Sequence, residues 1–324
     1  MASFNFMPGV RRNTHMLIAI AGASGSGKTY TALELATGLA GPDGKIAIID
    51  TEAGRSLHYA DQFKFDYCDL GPPFTPARYQ EAIEAAENAK YDVIVVDSAS
   101  HEHAGEGGLL EMAESELKKA NMKSPANWAA PKAAHKKMMN RLLQCRSHII
   151  LCLRAEEKIR IEKVKDERTG YERTVVVPAG WQPICEKTVM FEMVVSFVMS
   201  PEHPGVPIED GDGRTGKIQA QHRFAFPAGQ RVTRKAGEAL AKWAAGGEPP
   251  PAPVNGDEAL EKQARKIAAL GDEALTGWLR KLTTGDKQKL TPIGAELREI
   301  ASRVDAAPEP VTRARQSIRP CLSG

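Results

Sequence analysis

This 324-residue sequence contains no run approaching the roughly 20 consecutive apolar residues that a membrane helix requires. Its opening, MASFNFMPGVRR, has no apolar region of the signal-peptide kind. The expectation is a cytoplasmic protein with no membrane contact. Cysteine is sparse and badly placed for structure-building. Cys68, Cys145, Cys152, Cys185 and Cys321 are scattered, odd in number and never in CxxC spacing, which argues for reduced thiols over a disulfide framework or a zinc site. An excess of one charge is missing too. With Lys and Arg at 43 and Asp and Glu at 41, any nucleic-acid argument must come from local clustering. There is no internal repeat and no base-reading motif.

What is present is a complete GxxxxGK(S/T) phosphate loop at residues 22–29, fed directly by the apolar run MLIAIA. Gly22, Gly25 and Gly27 allow a tight backbone turn whose N–H groups converge on phosphate oxygens, with Ala23, Ser24 and Ser26 completing the cradle. Lys28 supplies a point charge to the terminal phosphates, and the Thr29 hydroxyl is placed to ligate Mg²⁺. A helix opening here, over about 28–39 and including Tyr30, aims its positive end at the same anion. The expected ligands are ATP and Mg²⁺.

Short β-branched runs at 17–21, 46–50, 93–97 and 148–153 alternate with helical patterns, as in a parallel sheet covered on both faces. Thr75 and Pro76 are the N-cap and first residue of a helix joining the second and third runs. Residues 158–177 alternate about the DERTG turn signal and predict a long hairpin, while 189–199 and 217–226 predict further strands. The segment 246–256, GGEPPPAPVNG, is a proline-rich linker. The expected organisation is therefore an α/β domain over 1–245, this linker, a small bundle of about three helices over 257–305 and a basic tail over 306–324. In the bundle, Thr291 and Pro292 open the last helix. At that size it would dock on the first domain or on a protein partner.

Hydrolysis needs a held metal and an oriented water. Asp97 ends the apolar run of YDVIVVDS, where the carboxyl ends of parallel strands gather around a ligand, and is assigned to Mg²⁺. Glu52 follows Asp50 by two residues, on the same side of an extended chain, and is assigned as general base or water-orienting group, with Asp50 in a structural or supporting role. Lys28, Glu52 and Asp97 are thus the catalytic candidates. His101, Glu102 and His103 invite a metal, but no third ligand stands at a recognisable spacing, and their glycine-rich loop reads as a lid or coupling element.

Residues 118–146 hold eight basic side chains and no acidic one. Lys118, Lys119, Lys123, Trp128, Lys132, Lys136, Lys137 and Arg141 are candidates for contact with single-stranded DNA, the cations for the backbone and the indole for stacking on a base; His135 and Arg146 lie in the same stretch. The opposing reading is a solvated helix face whose core side is Met138, Met139, Leu142 and Leu143. In 154–173 seven basic residues meet six acidic ones, so the hairpin reads equally as a solvated or oligomer-contacting ribbon.

With GASGSGKT at 22–29, IIDTEAGRS at 48–56 and DVIVVDSAS at 92–100 in this order, residues 10–230 resemble the RecA-like recombinase core, particularly the small phage-encoded P-loop ATPases of the RecA/Rad51 type. The resemblance implies a RecA-like P-loop NTPase core with a mostly parallel central sheet flanked by helices. It also implies an ATPase acting on single-stranded DNA in recombination or annealing, and leaves a homo-oligomer open. It maps the catalytic glutamate onto Glu52 and the next motif's aspartate onto Asp97. It sets the basic stretch and the hairpin near the family's DNA-facing loops. Where bacterial recombinases carry a γ-phosphate-sensing glutamine, this chain reads LCLRAEEK, so Arg154 or Lys158 serves or the sensing is lost. The alternatives are a nucleotide-dependent switch or assembly factor, and a P-loop small-molecule kinase.

Overall fold

The computed structural model describes residues 11, 14–120, 125–165, 171–208, 216–246 and 256–305. Lys123, the hairpin turn at 166–170, most of the linker and the tail lie outside these residues. The chain divides into two compact units, Met1–Ala252 and Pro253–Gly324. No described helix is long and apolar enough to cross a membrane.

The first unit is a helix-flanked sheet. Its strands are β1 (Leu17–Gly22), β2 (Ile46–Asp50), β3 (Asp66–Asp69), β4 (Val93–Asp97), β5 (His148–Lys165), β6 (Glu172–Pro183), β7 (Val195–Met199) and β8 (Lys217–Ile218). They lie in the order β3-β2-β4-β5-β1-β7-β8, parallel except for β8, while β6 pairs antiparallel with the outer part of β5. Every residue of β1, β2, β4 and β7 is buried, which is why these strands read as unbroken apolar runs. Side chains alternate between two cores. Leu17, Ala19 and Ala21 pack with Tyr79, Ile83, Met138, Met139 and Leu142 on one face. Ile18 and Ile20 pack with Leu33, Leu35, Ala36 and Leu240 on the other.

The helices of this unit are α1 (Lys28–Ala40), α2 (Pro76–Asn88), α3 (Ser100–Ala104), α4 (Leu109–Ala120), α5 (Ala129–Leu143), α6 (Val189–Glu192) and α7 (Arg234–Ala244). α2 starts where Thr75 accepts a hydrogen bond from the Arg78 N–H and Pro76 fills the first helical position. α1 and α7 approach at glycines: a Cβ on Gly38 would stand 2.2 Å from the Arg234 carbonyl oxygen.

Two strand expectations are corrected. Within 189–199 only Val195–Met199 is strand, because Val189–Glu192 folds as a helical turn that buries Val189 and Met190, and the Ser196 hydroxyl donates to the Met190 carbonyl at 3.0 Å. Within 217–226 the strand stops at Ile218, and Ala220–Ala225 forms a 3₁₀ turn. That turn sets His222 against Trp243, with ring centroids 4.6 Å apart, and Phe226 against Phe197 at 5.5 Å.

The second unit contains α8 (Gly256–Ala268), α9 (Asp272–Lys281), α10 (Thr284–Lys289) and α11 (Gly294–Asp305) around Ala264, Ala268, Leu275, Leu290, Leu297 and Ala301. It has one short helix more than expected. Thr283 caps α10 by accepting from the Asp286 N–H at 3.2 Å. Thr291 and Pro292 form a 3₁₀ turn just before the last helix.

Candidate active site

The carboxyl ends of β1, β2, β4 and the inner part of β5 meet on one edge of the sheet. In register, Gly22 pairs with Arg154, Asp50 with Asp97, and Asp97 with Cys152. Strand β5 therefore separates the loop-bearing strand from the Asp97 strand, and the loop and Asp97 face each other across its end.

The loop closes on itself through one carbonyl: Ala23 O accepts from Ser26 Oγ at 2.8 Å, Ser26 N at 3.3 Å and Lys28 Nζ at 2.9 Å. Gly25 and Gly27 have φ of 82° and 84°, conformations that only glycine adopts readily. Gly27 then caps α1, whose first N–H groups face the loop. Thr29 Oγ1 donates to Asp97 Oδ2 at 2.5 Å. Burial raises the Asp97 carboxyl to about 6, the Thr29 hydroxyl bond works against this, and the neighbouring Glu52 charge adds to it. A hydroxyl and a carboxylate side by side at a helix N-terminus are hard oxygen donors suited to Mg²⁺, which would relieve the cost of that buried charge.

Asp50, almost wholly buried, builds the opposite wall. Its Oδ1 accepts from Glu52 N at 2.7 Å and Gly54 N at 3.3 Å; its Oδ2 accepts from Ser56 N at 3.0 Å and Ser56 Oγ at 2.6 Å. These bonds fold 52–59 into a tight turn with the 3₁₀ segment Arg55–Tyr59. Glu52 then stands between two arginines, with Arg154 Nε and Nη2 each 2.8 Å from Oε1 and Arg55 Nη1 2.8 Å from Oε2. Burial pushes the Glu52 carboxyl up, but the two guanidiniums outweigh it and hold the group below the usual carboxylate range.

The turns after β2 and β4 are bound together. Thr51 N donates to Asp97 O at 2.8 Å, Ser98 N donates to Thr51 Oγ1 at 2.8 Å, and Tyr79 OH donates to Ser98 O at 3.0 Å. His101 lies within this network, its Nδ1 2.8 Å from Thr51 Oγ1 and its ring 4.9 Å from that of Phe74.

The resulting cleft, about 690 Å³, is lined by Ser24, Gly25, Gly27, Lys28, Thr29, Glu52, Arg55, His58, Tyr59, Asp97, Arg154, Ala155 and Ile184. Its cations, its backbone amides and the Thr29–Asp97 pair match a nucleoside triphosphate with its metal. Lys28, Thr29, Glu52 and Asp97 thus come together. Tyr30 does not join them; its ring packs edge-on to Tyr59 and Phe63, at 6.1 and 5.3 Å. Lys158 also stands apart, on the ribbon and paired with Glu156 at 3.0 Å, so of the two phosphate-sensor candidates only Arg154 lines the cleft. Arg55 and His58 were not anticipated, and the only signal for them was adjacency to Glu52.

The basic stretch divides. Lys118, Lys132, Lys136 and Lys137 are exposed and Trp128 is half-buried, whereas the side chain of Lys119 lies outside the described part. Arg141 is not a free cation: it binds Glu84 at 2.9 Å and also Glu87, tying α5 to α2. His135 is buried, with Nδ1 2.9 Å from Glu102 Oε1.

A search of curated proteins finds no match. A family model described as an AAA domain matches residues 14–231, a span that holds the phosphate loop, both acidic turns and all eight described strands of the sheet. The chain belongs to the AAA domain family, whose members are generally P-loop ATPases.

Proposed function

We propose that the chain is a Mg²⁺-dependent ATPase that acts on single-stranded DNA in recombination or annealing of the phage type. The observation that carries the ATPase part is the convergence of Lys28, Thr29, Asp97 and Glu52 on one cleft. Thr29 and Asp97 would hold the metal, which when bound draws charge from the phosphate oxygens. Lys28 supplies charge to the terminal phosphates, and the α1 N-terminus adds its dipole. Glu52, ionised at neutral pH and fixed through Asp50, is placed to accept a proton from water and so to orient it. The DNA part is supported by the exposed lysines of α4 and α5, with no acid between 118 and 146 to oppose them. We place the protein in the cytoplasm, where thiols such as the exposed Cys68 stay reduced.

A second reading, a nucleotide-dependent switch, is favoured by one feature: both oxygens of Glu52 are engaged by arginines. ADP formation measured with single-stranded, double-stranded and no DNA across a salt series separates the two. Stimulation by single strands, with an apparent DNA affinity that falls with salt by a log-log slope of about 0.7 for each phosphate neutralised, supports the DNA-dependent ATPase. Nucleotide binding with turnover indifferent to DNA supports the switch.

A further inference from the structure

We infer that His135 is a positioning residue for hydrolysis: through Glu102 it holds α3 in place, and with α3 the two turns that carry Asp97 and Glu52. This rests on the ATPase reading above and adds to it a residue that does not line the cleft.

α3 begins at Ser100, three residues after Asp97. The side chains it buries are Ser100 and Glu102, and neither is apolar, so hydrogen bonds set its place more than packing does. Two of these bonds reach the cleft walls. Ser100 Oγ accepts from Arg154 N at 2.8 Å, and His101 Nδ1 stands 2.8 Å from Thr51 Oγ1, between Asp50 and Glu52. The same Thr51 oxygen accepts at 2.8 Å from the N–H of Ser98, which follows Asp97 directly. Another bond leads away from the cleft: His135 Nδ1 lies 2.9 Å from Glu102 Oε1, with both side chains buried. A carboxylate only accepts, so Nδ1 carries the proton of this bond. α5 is the firmer partner. It buries Pro131, Met138, Met139 and Leu142 beside His135, and Arg141 ties it to Glu84 and Glu87 of α2. His135 is thus the point at which a packed helix fixes one with little packing of its own.

The bond is also charge-assisted. His135 Nε2 lies 3.9 Å from Glu186 Oε2, so the imidazolium stands between two carboxylates. Burial works against its charge, but the bond to Glu102 and the charges of Glu102 and Glu186 outweigh it and raise the ring above its ordinary value. The other titratable groups around it are His103 from α3, Cys185 beside Glu186, and Tyr79 from α2, while the charges of Lys132 and Lys158 reach Glu186 and His103. Burial lowers His103, pushes Cys185 up to about 12 and raises Tyr79. His135 is then the member of this cluster that changes charge through neutral and mildly alkaline pH. Its deprotonation turns the bond to Glu102 into an ordinary one, about half as strong.

Turnover of Mg-ATP is measured from about pH 6 to about pH 10 for the wild type, His135→Gln, Glu102→Gln and Glu186→Gln, with the urea midpoint of each. In the wild type kcat is expected to fall on the alkaline side, while KM stays within about twofold because the phosphate loop is not involved. His135→Gln still offers Glu102 a donor but does not titrate, so kcat is expected to drop about tenfold at neutral pH and the alkaline fall to vanish. Glu102→Gln removes a charge that favours the imidazolium, and the fall is expected to move to lower pH. Glu186→Gln leaves the buried bond intact, which guards against misfolding, and is expected to move the fall the same way by less. A fall that persists in His135→Gln and keeps its place in Glu102→Gln would belong to another group and overturn the inference. So would variants that lose urea stability alone, or whose KM rises while kcat is kept. A wild type that hydrolyses no ATP at any pH would instead remove the ATPase reading, and this inference with it.

Discussion

Lys28 and Glu52 carry separable burdens, and their substitutions should separate them. Lys28 is the cation of the loop, so Lys28→Ala should lower affinity for Mg-ATP by at least about tenfold, as expected for loss of a charged hydrogen-bond partner. Glu52 lies on the opposite wall, and Glu52→Gln should bind ATP yet slow its hydrolysis by about 10²- to 10⁴-fold, the usual worth of a positioned general base. Normal turnover by the Glu52 variant would refute its assignment. At this scale the sequence was most informative where chemistry imposes spacing. The loop is legible because its motif fixes Gly22, Gly27, Lys28 and Thr29, and Asp97 because it ends an apolar strand. Arg55 and His58 are not, since they reach the cleft only after Asp50 has folded the turn at 52–59. Arg141 misled because the acids that engage it, Glu84 and Glu87, precede it by 57 and 54 residues. His135 misled for the same reason, its partner Glu102 lying 33 residues before it.

Elements were legible in proportion to their burial. β1, β2 and β4 announced themselves because both faces are covered, whereas β3 escaped because Asp66–Asp69 is a wholly exposed edge of polar composition. The sequence pattern splits β5 between a core strand and a hairpin, yet β5 runs unbroken from His148 to Lys165. Nothing in the glycines of α1 and α7 revealed how closely these helices pack. At Gly38 the neighbours of an added Cβ are backbone atoms, the Arg234 oxygen at 2.2 Å and the Glu238 nitrogen at 2.6 Å, which cannot rotate away. Gly38→Ala should therefore cost about 1 to 3 kcal/mol despite its better helix propensity, a loss visible as a lower urea midpoint. The exposed face of α5 makes a different prediction. Replacing Lys132, Lys136 and Lys137 together by alanine disturbs no buried packing and should leave nucleotide affinity intact. Binding to single-stranded DNA should weaken, and its log-log salt slope should fall by about 0.7 for each phosphate that the helix no longer neutralises. An unchanged slope would take the DNA surface away from this helix.

On the scale of the whole molecule, the first unit has a polar cluster at the opposite end of its sheet from the cleft, and this end should contribute to its acid stability. His148 opens β5, and its Nδ1 accepts the Met16 N–H at 2.9 Å, a bond that requires an unprotonated nitrogen. Burial lowers its pKa from 6.5 to about 4, His15 adds to the shift, and Asp92 opposes it. His15, Glu87, Asp92 and Arg146 line the same hollow. Between these two values the unfolded chain binds the proton and the folded one does not, so stability contributed by His148 is whole above about pH 6.5 and falls as pH drops toward 4. The full shift corresponds to about 3 kcal/mol, and it is an upper bound because the folded end can relax. His15, also lowered by burial, gives a slope of the same sign, and Glu87, whose arginine contacts outweigh its burial to hold it low, loses stability as it protonates in acid. Urea unfolding of the wild type alone would mix these contributions. The comparison that isolates His148 is with His148→Gln, whose side-chain oxygen can still accept the Met16 N–H but does not titrate. The wild type should lose more stability than this variant between pH 7 and pH 4, and parallel curves would show that the strand end tolerates the charge.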